Sequence, residues 1–211
     1  MSVVDFLPMV ALGLNFDPPL EDIDDRVLVR DISWQEYARI AARRGESAVP
    51  RLAYLDGTLE LMSPGTRHET DKKKLSRLLE AYADHLGIAV DGYGSWTVQR
   101  EGEKAGAEAD ECYVVDPDGS EPAAPDLVIE VVYRSGGLSK LELWKRLGAR
   151  EVWFWIGKGL RLFVRRGDDW QPASRSDLLP AVDPALLERC MAEPSQTAAL
   201  KTLRAALAAT T

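Results

Sequence analysis

A single carboxylate lies inside the most apolar strand that the sequence predicts. The run P-D-L-V-I-E-V-V extends from Pro125 to Val132, and Glu130 is its only ionisable residue after Asp126. Side chains alternate across a strand, so this run presents apolar residues on both faces, as a covered central strand does. A buried carboxylate is unfavourable unless a cation, a metal ion or hydrogen-bond donors meet it. The sequence therefore predicts a positive partner for Glu130.

The helix predicted after this strand supplies a cation. The stretch from Gly137 to Gly148 has an apolar stripe made of Leu143, Trp144 and Leu147. On a helical wheel Lys140 lies near the centre of that stripe, whereas Lys145 lies roughly opposite it. We therefore expect Lys140 to pair with Glu130. From these residues alone the pair can be structural or catalytic.

The composition excludes several classes of protein. The chain has 211 residues, of which 45% are hydrophobic, so it can bury a substantial core. It lacks the run of about 18 apolar residues that a membrane span needs, and its N-terminus lacks the basic start of a secretory signal. We expect a cytoplasmic protein with no membrane partner. The net charge of −8 disfavours general binding to polyanions, although local basic clusters can still contact phosphates.

The chain is predicted to contain an arm, a main domain and a terminal helix. Residues 1–31 form the arm, which is irregular up to about residue 26 because it carries prolines and an acidic patch. Residues 32–190 form the main domain, and residues 191–211 the C-terminal helix. Cys112 and Cys190 lack the spacing of a zinc or redox site, so we expect buried free thiols.

Capping signals place two helices in the first half of the chain. Ser33 and Glu36 have the spacing of a capping box at the start of the first helix. Thr66 and Glu69 repeat this spacing at the start of a longer helix, which Gly87 ends. The apolar stripe of the longer helix consists of Leu75, Leu78, Leu79, Tyr82 and Leu86.

Alternating apolar residues predict the strands. Asp56-Gly57 is a two-residue hairpin signal. Residues 88–100 are predicted to form one hairpin or a bulged strand, and residues 101–108 a loop. The other predicted elements are strands at 51–55, 58–62, 110–115, 151–156 and 159–165, and helices from Pro184 and over 195–209.

The first turn of the long helix holds further candidates. His68 and Lys72 lie along its inward stripe, whereas Glu69 lies well away from the centre of that stripe. His68 can be a packed structural histidine or a site residue, and the helix alone favours the structural role. The run from Lys72 to Lys74 is predicted to be mostly solvated, but Lys72 and Lys73 can meet a phosphate backbone near a site.

Two carboxylates on neighbouring strands can form a magnesium site. Asp110 opens the strand at 110–115, which can run beside Glu130 at about 4.8 Å. Asp126 lies about 13 Å from Glu130 along the same strand face, so we expect it to bond nearby backbone instead. Mg²⁺ is usually held by one or two carboxylates plus substrate phosphate. Asp110 and Glu130 on the metal, with Lys140 at the phosphate or the attacking water, suit phosphodiester hydrolysis.

Several segments, taken in order, resemble a known nuclease family. They are I-S-W-Q-E-Y, L-D-G-T-L-E-L-M-S-P, His68, P-D-L-V-I-E-V-V, S-G-G-L-S-K-L-E-L-W, G-A-R-E-V-W-F-W and S-D-L-L-P. Over about Ile32 to Leu187 the chain resembles the Uma-type restriction endonuclease family, a branch of the PD-(D/E)XK nuclease superfamily. The resemblance implies a mixed α/β (α+β) fold, with a restriction-endonuclease-like mixed β-sheet core flanked by helices. It also implies a nuclease site that uses a divalent metal.

The resemblance also implies roles for individual residues. Asp110 and Glu130 match the acidic pair of the family, and His68 matches its first-helix histidine. Val132 occupies the position where the E-x-K motif would have lysine. Lys140 matches a lysine that the family carries on the following helix instead.

The chain departs from the family pattern at three points. Ala109 stands where proline usually precedes the aspartate, and Y-R-S-G-G replaces the usual S-P-S-T after the central strand. Ser139 stands where an acidic residue often precedes the lysine. These departures affect the loops around the expected site, while the expected metal ligands are present.

Three functions are compatible with the sequence. The first is a DNA endonuclease that depends on Mg²⁺ or Mn²⁺, and the second is a catalytically inert nuclease-fold module for interaction or assembly. A glycosidase that uses the carboxylates as acid and base is the third, but it has no role for Lys140. The candidate residues are Asp110, Glu130, Lys140 and His68 for catalysis, Asp110 and Glu130 for metal, Lys72 and Lys73 for substrate, and Glu69 and Asp126 as secondary candidates.

We also expect the chain to form a homodimer. The apolar arm before residue 17 has too few neighbours in sequence to bury itself, and cleavage of both DNA strands needs two sites or one site used twice. A two-fold dimer is the simplest arrangement that satisfies both. Its expected interface anchors are Phe6, Leu7, Leu12 and Phe16.

Overall fold

The computed structural model describes residues 24–45, 47–133 and 137–209. The strands of this part are β1 (Asp25–Val29), β2 (Arg51–Leu55), β3 (Thr58–Ser63), β4 (Val90–Gly92), β5 (Thr97–Arg100), β6 (Ala105–Glu108), β7 (Glu111–Val115), β8 (Leu127–Val132), β9 (Glu151–Ile156), β10 (Gly159–Arg166) and β11 (Asp169–Ala173). The α-helices are α1 (Trp34–Arg44), α2 (Thr66–Leu86), α3 (Lys140–Leu147), α4 (Pro184–Met191) and α5 (Gln196–Ala208). One 3₁₀ turn spans Glu101–Glu103.

The described strands form two sheets. The first has the order β1-β3-β2-β6-β5 and is antiparallel throughout. The second has the order β11-β10-β9-β8-β7-β4, and within it β8 and β9 run parallel while the other pairs are antiparallel. The predicted fold class, a mixed α/β fold with a β-sheet core flanked by helices, is confirmed. The core is divided between two sheets.

β8 is an inner strand of the second sheet, as its apolar sequence predicts. Leu127, Ile129 and Val131 pack on one face, in the hydrophobic cluster that includes α2, α4 and α5. Val128 packs on the opposite face with α3. Glu130 alternates with the first set and is only 2% exposed. A carboxylate therefore lies in the layer between the second sheet and α3.

Asp110 connects the two sheets. β6 belongs to the first sheet and β7 to the second, so the two residues between these strands cross from one sheet to the other. The antiparallel register pairs Glu111 with Ile129, and its continuation brings Asp110 alongside Glu130. Asp110 thus lies beside Glu130 as predicted, although β7 begins one residue later, at Glu111.

The two predicted capping boxes differ in outcome. The box of Ser33 and Glu36 at α1 is confirmed, with both reciprocal hydrogen bonds present. The box of Thr66 and Glu69 is wrong, because Gly65 is the N-cap of α2 and Thr66 is already helical. The Glu69 carboxylate contacts two basic side chains instead.

Strand pairing differs from the prediction between residues 88 and 108. A hairpin or bulged strand over 88–100 is wrong, because β4 pairs with β7 in the second sheet and β5 with β6 in the first. The predicted loop at 101–108 contains β6, whose small residues give a weak strand signal. A Cβ atom at Gly106 would overlap the Tyr37 ring, so the small residues permit this close packing. β11 is an additional strand that the pattern did not indicate.

Two positions of α2 do not follow the helical wheel. Leu86 is 37% exposed, so the apolar stripe ends before it. Lys74 is buried, and its Nζ donates to the carbonyl oxygens of Met191 and Glu193 at 3.1 Å and 2.7 Å. The predicted solvated face is therefore wrong at Lys74, because this lysine binds the C-terminal end of α4.

The described part of the predicted N-terminal arm is more regular than the sequence indicates. β1 pairs with β3, so the last residues of the predicted irregular arm belong to the first sheet. Residues 1–23, which include the four expected dimer anchors, lie outside the described part of the chain. The two cysteines are buried and free, as predicted. Of the described helices, none is long and apolar enough to cross a bilayer.

Candidate functional site

Two side chains of α3 meet the buried Glu130 carboxylate. The indole Nε1 of Trp144 donates to Oε1 at 2.7 Å, and Nζ of Lys140 lies 3.3 Å from Oε2. Burial raises the pKa of Glu130, and Lys140 opposes that rise while the charge of Asp110 adds to it. The predicted pairing of Glu130 with Lys140 is confirmed.

Lys140 is the first residue of α3 and is held among carboxylates. Ser139 caps the helix by accepting a hydrogen bond from a backbone N–H of its first turn. Burial lowers the pKa of Lys140, but the charges of Glu130, Glu60 and Asp110 outweigh burial and raise the pKa overall. Lys140 is therefore an ammonium ion at neutral pH.

Asp110 accepts two hydrogen bonds and lies beside the ring of His68. Its Oδ1 accepts a hydrogen bond from the Arg51 guanidinium, and its Oδ2 accepts one from the backbone N–H of Val131 at 2.7 Å. The same Oδ2 lies 3.0 Å from Nε2 of His68. Burial alone would raise the pKa of Asp110, but His68, Arg51 and Lys140 together hold it well below its usual value.

His68 links Asp110 to the start of the described chain. Its Nδ1 lies 3.0 Å from Oδ2 of Asp24, and Oδ1 of Asp24 accepts from the backbone N–H of Gly65 at 2.9 Å. Burial lowers the pKa of His68, but contacts with Asp110 and Asp24 outweigh it and raise the pKa to about 9. His68 is therefore a cation at neutral pH, and a carboxylate faces each ring nitrogen.

Arg51 extends the cluster towards the surface. Its second terminal nitrogen lies 2.5 Å from Oε1 of Glu69, and Oε2 of Glu69 lies 2.6 Å from Nζ of Lys72. The Asp110 side chain is 1% exposed and the Glu69 side chain 42% exposed. A row of alternating charges thus connects the buried carboxylate to the first turns of α2.

Glu60 fixes the segment that precedes α3. Its Oε2 accepts a hydrogen bond from the backbone N–H of Leu138 at 2.9 Å and lies 3.4 Å from Nε of Arg26. A Cβ atom at Gly137 would overlap this carboxylate, so glycine is needed for the close approach. Glu60 therefore helps to place Lys140, which lies two residues after Leu138.

The structure brings together most of the predicted candidates. Asp110, Glu130, Lys140 and His68 form one cluster, and Arg51 connects it to Glu69 and Lys72. Lys73 is exposed on α2. Asp126 lies at the far end of β8, where its Oδ2 accepts from the backbone N–H of Val115 at 3.0 Å and its Oδ1 lies 3.2 Å from Arg150. As a secondary site candidate Asp126 is therefore not placed in the cluster, while its expected backbone bond is confirmed.

Four residues of the cluster were not predicted from the sequence. They are Asp24, Arg51, Glu60 and Trp144. Glu60 carries the same signal as Glu130, a carboxylate within an apolar strand, here T-L-E-L-M. Trp144 was assigned to the apolar stripe of α3, and its N–H gave no further signal. The contacts of Asp24 and Arg51 depend on how distant elements pack.

The cluster fits a magnesium site that has two protein carboxylates. Oxygen ligands suit Mg²⁺, which commonly takes one or two carboxylates and completes its shell with water and substrate phosphate. Each carboxylate oxygen of Asp110 and Glu130 already has a protein partner, so a metal ion would compete with Arg51 and Lys140 for these oxygens. Among the described residues no group of three or more His, Cys, Asp or Glu side chains is arranged to hold a metal ion.

Comparison with known proteins identifies the family. A sequence model of the Uma2 family, described as "Putative restriction endonuclease", matches residues 34–194. The chain belongs to the Uma2 family. The matched region contains both carboxylates, Lys140 and His68. Among curated proteins no match is found.

One solved structure similar to this Uma2 member comes from Anabaena variabilis. It is described as "a putative nuclease belonging to DUF820" and is 14% identical in sequence. The similarity covers 82% of this chain and 99% of that chain, with a TM-score of 0.46.

Proposed function

We propose that this protein is an endonuclease that hydrolyses DNA phosphodiester bonds with Mg²⁺ or Mn²⁺. The observation that supports this proposal best is the Lys140 ammonium, 3.3 Å from the Glu130 carboxylate and beside Asp110. A pair of acidic ligands with a cation next to them provides the charges that phosphoryl transfer requires. Membership in the Uma2 family supports the same class of reaction.

Asp110 and Glu130 would hold the metal ion in this proposal. The ion, when bound, supplies positive charge to the phosphate and lowers the pKa of a bound water. Lys140, which Glu130 and Glu60 keep charged, would face the negative charge that develops on the phosphate. Its side chain is 15% exposed, so it is close to solvent and to an approaching substrate.

His68 would act on Asp110 and not on the DNA. Both ring nitrogens already face carboxylates, so the ring has no free nitrogen for a proton transfer to the substrate. It would instead keep the Asp110 side chain in one orientation. His68 is therefore a positioning residue in this proposal.

DNA would approach along the first turns of α2. Lys72 and the exposed Lys73 lie there, next to the exposed end of the charge row, and can contact phosphates without reading bases. The net charge of −8 confines such binding to local basic positions. Cytoplasmic location and assembly as a homodimer belong to the same proposal, since duplex cleavage is simplest with two sites.

Metal titration tests the proposal. We would titrate Mg²⁺ and Mn²⁺ by calorimetry into the wild type, Asp110→Asn and Asp126→Asn. Asp126→Asn is a matched control, because it changes a carboxylate that directly precedes β8 and lies outside the cluster. We expect binding to the wild type and to Asp126→Asn, and its loss in Asp110→Asn. Equal binding by all three would contradict the assigned ligands.

One observation favours a second function, that of an inert interaction module. The carboxylates of Asp110 and Glu130 already have charged or hydrogen-bonding partners, as they would in a purely structural network. These partners are Arg51, His68, Trp144 and Lys140. A module of this kind would bind no metal at the cluster, and it would cleave neither DNA nor RNA. The glycosidase alternative receives no support from the family, and it still has no role for Lys140.

A further inference from the structure

Arg51 lies between a buried carboxylate and an exposed one. Its side chain is 7% exposed, and its guanidinium contacts Oδ1 of Asp110 on one side and Oε1 of Glu69 on the other. The two carboxylates differ greatly in access to solvent, with side-chain exposures of 1% for Asp110 and 42% for Glu69. A guanidinium that leaves Asp110 can therefore keep one partner.

Arg51 occupies the oxygen that a metal ion would need. Oδ2 of Asp110 is taken by the backbone N–H of Val131 and by His68, which leaves Oδ1 as the oxygen covered by Arg51 alone. Mg²⁺ binds carboxylate oxygen at about 2.0–2.1 Å, so an ion on Oδ1 would lie close to the guanidinium that already contacts this oxygen. Two cations at contact distance also repel each other. We therefore expect metal binding at Asp110 to displace Arg51.

Glu69 determines where the displaced guanidinium would go. It already contacts Arg51, and its other oxygen contacts Lys72. Together these residues lie on the side from which DNA would approach. An arginine fork pairs with two phosphate oxygens at once, which a lysine cannot do.

We propose that Arg51 is an exchangeable counter-ion of Asp110. It neutralises Asp110 until a divalent cation binds, then moves towards Glu69 and contacts a phosphate of the nucleic acid. This inference rests on the proposed metal-dependent nuclease function. In this role Arg51 weakens metal binding when DNA is absent, and it strengthens DNA binding once the metal ion is bound.

The Arg44–Glu108 pair provides a matched control. Arg44 also forms an ion pair with a buried carboxylate, and the Glu108 side chain is 2% exposed. Glu108 belongs to the first sheet and is not an assigned metal ligand. The Arg44→Met variant therefore measures the general effect of breaking a buried ion pair away from the assigned metal ligands.

The first measurement is metal affinity without DNA. Mn²⁺ would be titrated by calorimetry into the wild type, Arg51→Met, Arg51→Gln and Arg44→Met, after circular dichroism has confirmed that each is folded. Arg51→Gln covers the case in which methionine prevents folding, because its amide can still bond Asp110 without charge. We expect at least ~10-fold tighter binding for the Arg51 variants, on the order produced by removing a like charge at contact distance, and little change for Arg44→Met.

The second measurement is DNA affinity in the presence of metal. A fluorescent DNA duplex would be titrated with each variant in Ca²⁺, with fluorescence anisotropy as the readout. We expect Arg51→Met to bind the duplex at least ~5-fold more weakly than the wild type, as loss of one charge-assisted phosphate contact predicts. Tighter metal binding together with weaker DNA binding is a combination that a merely structural ion pair would not produce.

The outcomes separate this inference from the proposed function. If the wild type binds Mn²⁺ and the Arg51 variants bind it no more tightly, the counter-ion role is overturned and the nuclease proposal stands. Tighter metal binding with unchanged DNA affinity would overturn the phosphate contact. If neither the wild type nor any variant binds Mn²⁺, both the inference and the metal site are overturned.

Discussion

The indole N–H of Trp144 donates to the buried Glu130 carboxylate at 2.7 Å, on the oxygen opposite the one that Lys140 contacts. Trp144 is fully buried in α3, so one side chain both fills the core beneath β8 and fixes the direction of the carboxylate. Helix α3 therefore both carries Lys140 and orients Glu130 through Trp144. Glu130 and Lys140 thus form one unit that this helix positions.

Trp144→Phe should weaken this unit while keeping most of the packing. Phenylalanine leaves Oε1 of Glu130 without its donor, which costs about 1–3 kcal/mol of unfolding free energy. Urea denaturation would measure the loss. Trp153→Phe is the control, because Trp153 donates to Glu151, which also accepts from Ser176 and two backbone N–H groups. A loss as large in Trp153→Phe would contradict the assigned importance of the single donor.

Glu130→Gln should leave the protein folded. The pKa of Glu130 is raised, which means that its ionised form is disfavoured by the fold, so an uncharged amide of the same shape relieves part of that cost. Asp110→Asn should destabilise more, because the pKa of Asp110 is lowered and its charge is stabilised. Thermal melts without metal would compare the two. If Glu130→Gln unfolds while Asp110→Asn stays folded, Glu130 has a structural role instead.

Asp24→Asn should destabilise the start of α2. The asparagine can keep the hydrogen bond from the Gly65 N–H, but it removes the charge next to the His68 cation and the helix N-terminus. We expect a loss of about 1.5–3 kcal/mol, as for a hydrogen bond to a charged group, measured by urea denaturation. Asp25→Asn, at an exposed neighbouring position, should change stability little. Equal effects of the two would argue against the His68 contact.

The pairing of Glu130 with Lys140 could be predicted from the sequence because it depends on local periodicity. Alternation along β8 fixes which face Glu130 occupies, and the helical repeat fixes the direction of Lys140. The position of Asp110 followed from the start of its strand. These three residues therefore needed little knowledge of the tertiary structure.

The rest of the site depends on contacts between distant elements. Arg51 reaches Asp110 only because the first sheet packs against the second where β6 passes into β7, and sequence patterns do not report such packing. For the same reason the sequence indicates strands near β4 and β5 but joins them as one hairpin or a bulged strand, whereas they belong to different sheets. Asp24 lies in a segment whose prolines and acidic residues predicted an irregular arm, so its contact with His68 gave no signal.

Self-association is a further expectation, and it rests on the N-terminal sequence. Phe6, Leu7, Leu12 and Phe16 lie outside the described residues and are the expected anchors of a two-fold interface. Light scattering at micromolar concentration should give twice the mass of the 23.3 kDa chain. A variant with the four anchors changed to serine should give the monomer mass. A monomeric wild type would reject the dimer.

In the proposed reaction Lys140 acts on the phosphate. Single-turnover cleavage of supercoiled plasmid in Mg²⁺ by the wild type, Lys140→Met, Lys140→Arg and Lys145→Met tests this role. Lys145 is the control, because it lies on the same helix, is half-buried, and contacts Glu142 at 3.5 Å and not the carboxylate cluster. Lys140→Arg should retain some activity, since arginine keeps the positive charge.

We predict that Lys140→Met lowers the cleavage rate at least ~100-fold, the amount typical of one lost transition-state contact, and that Lys145→Met changes it little. Equal cleavage rates for the wild type, Lys140→Met and Lys145→Met would contradict a catalytic Lys140. Absence of cleavage by all four proteins on varied DNA and RNA would instead favour the inert interaction module.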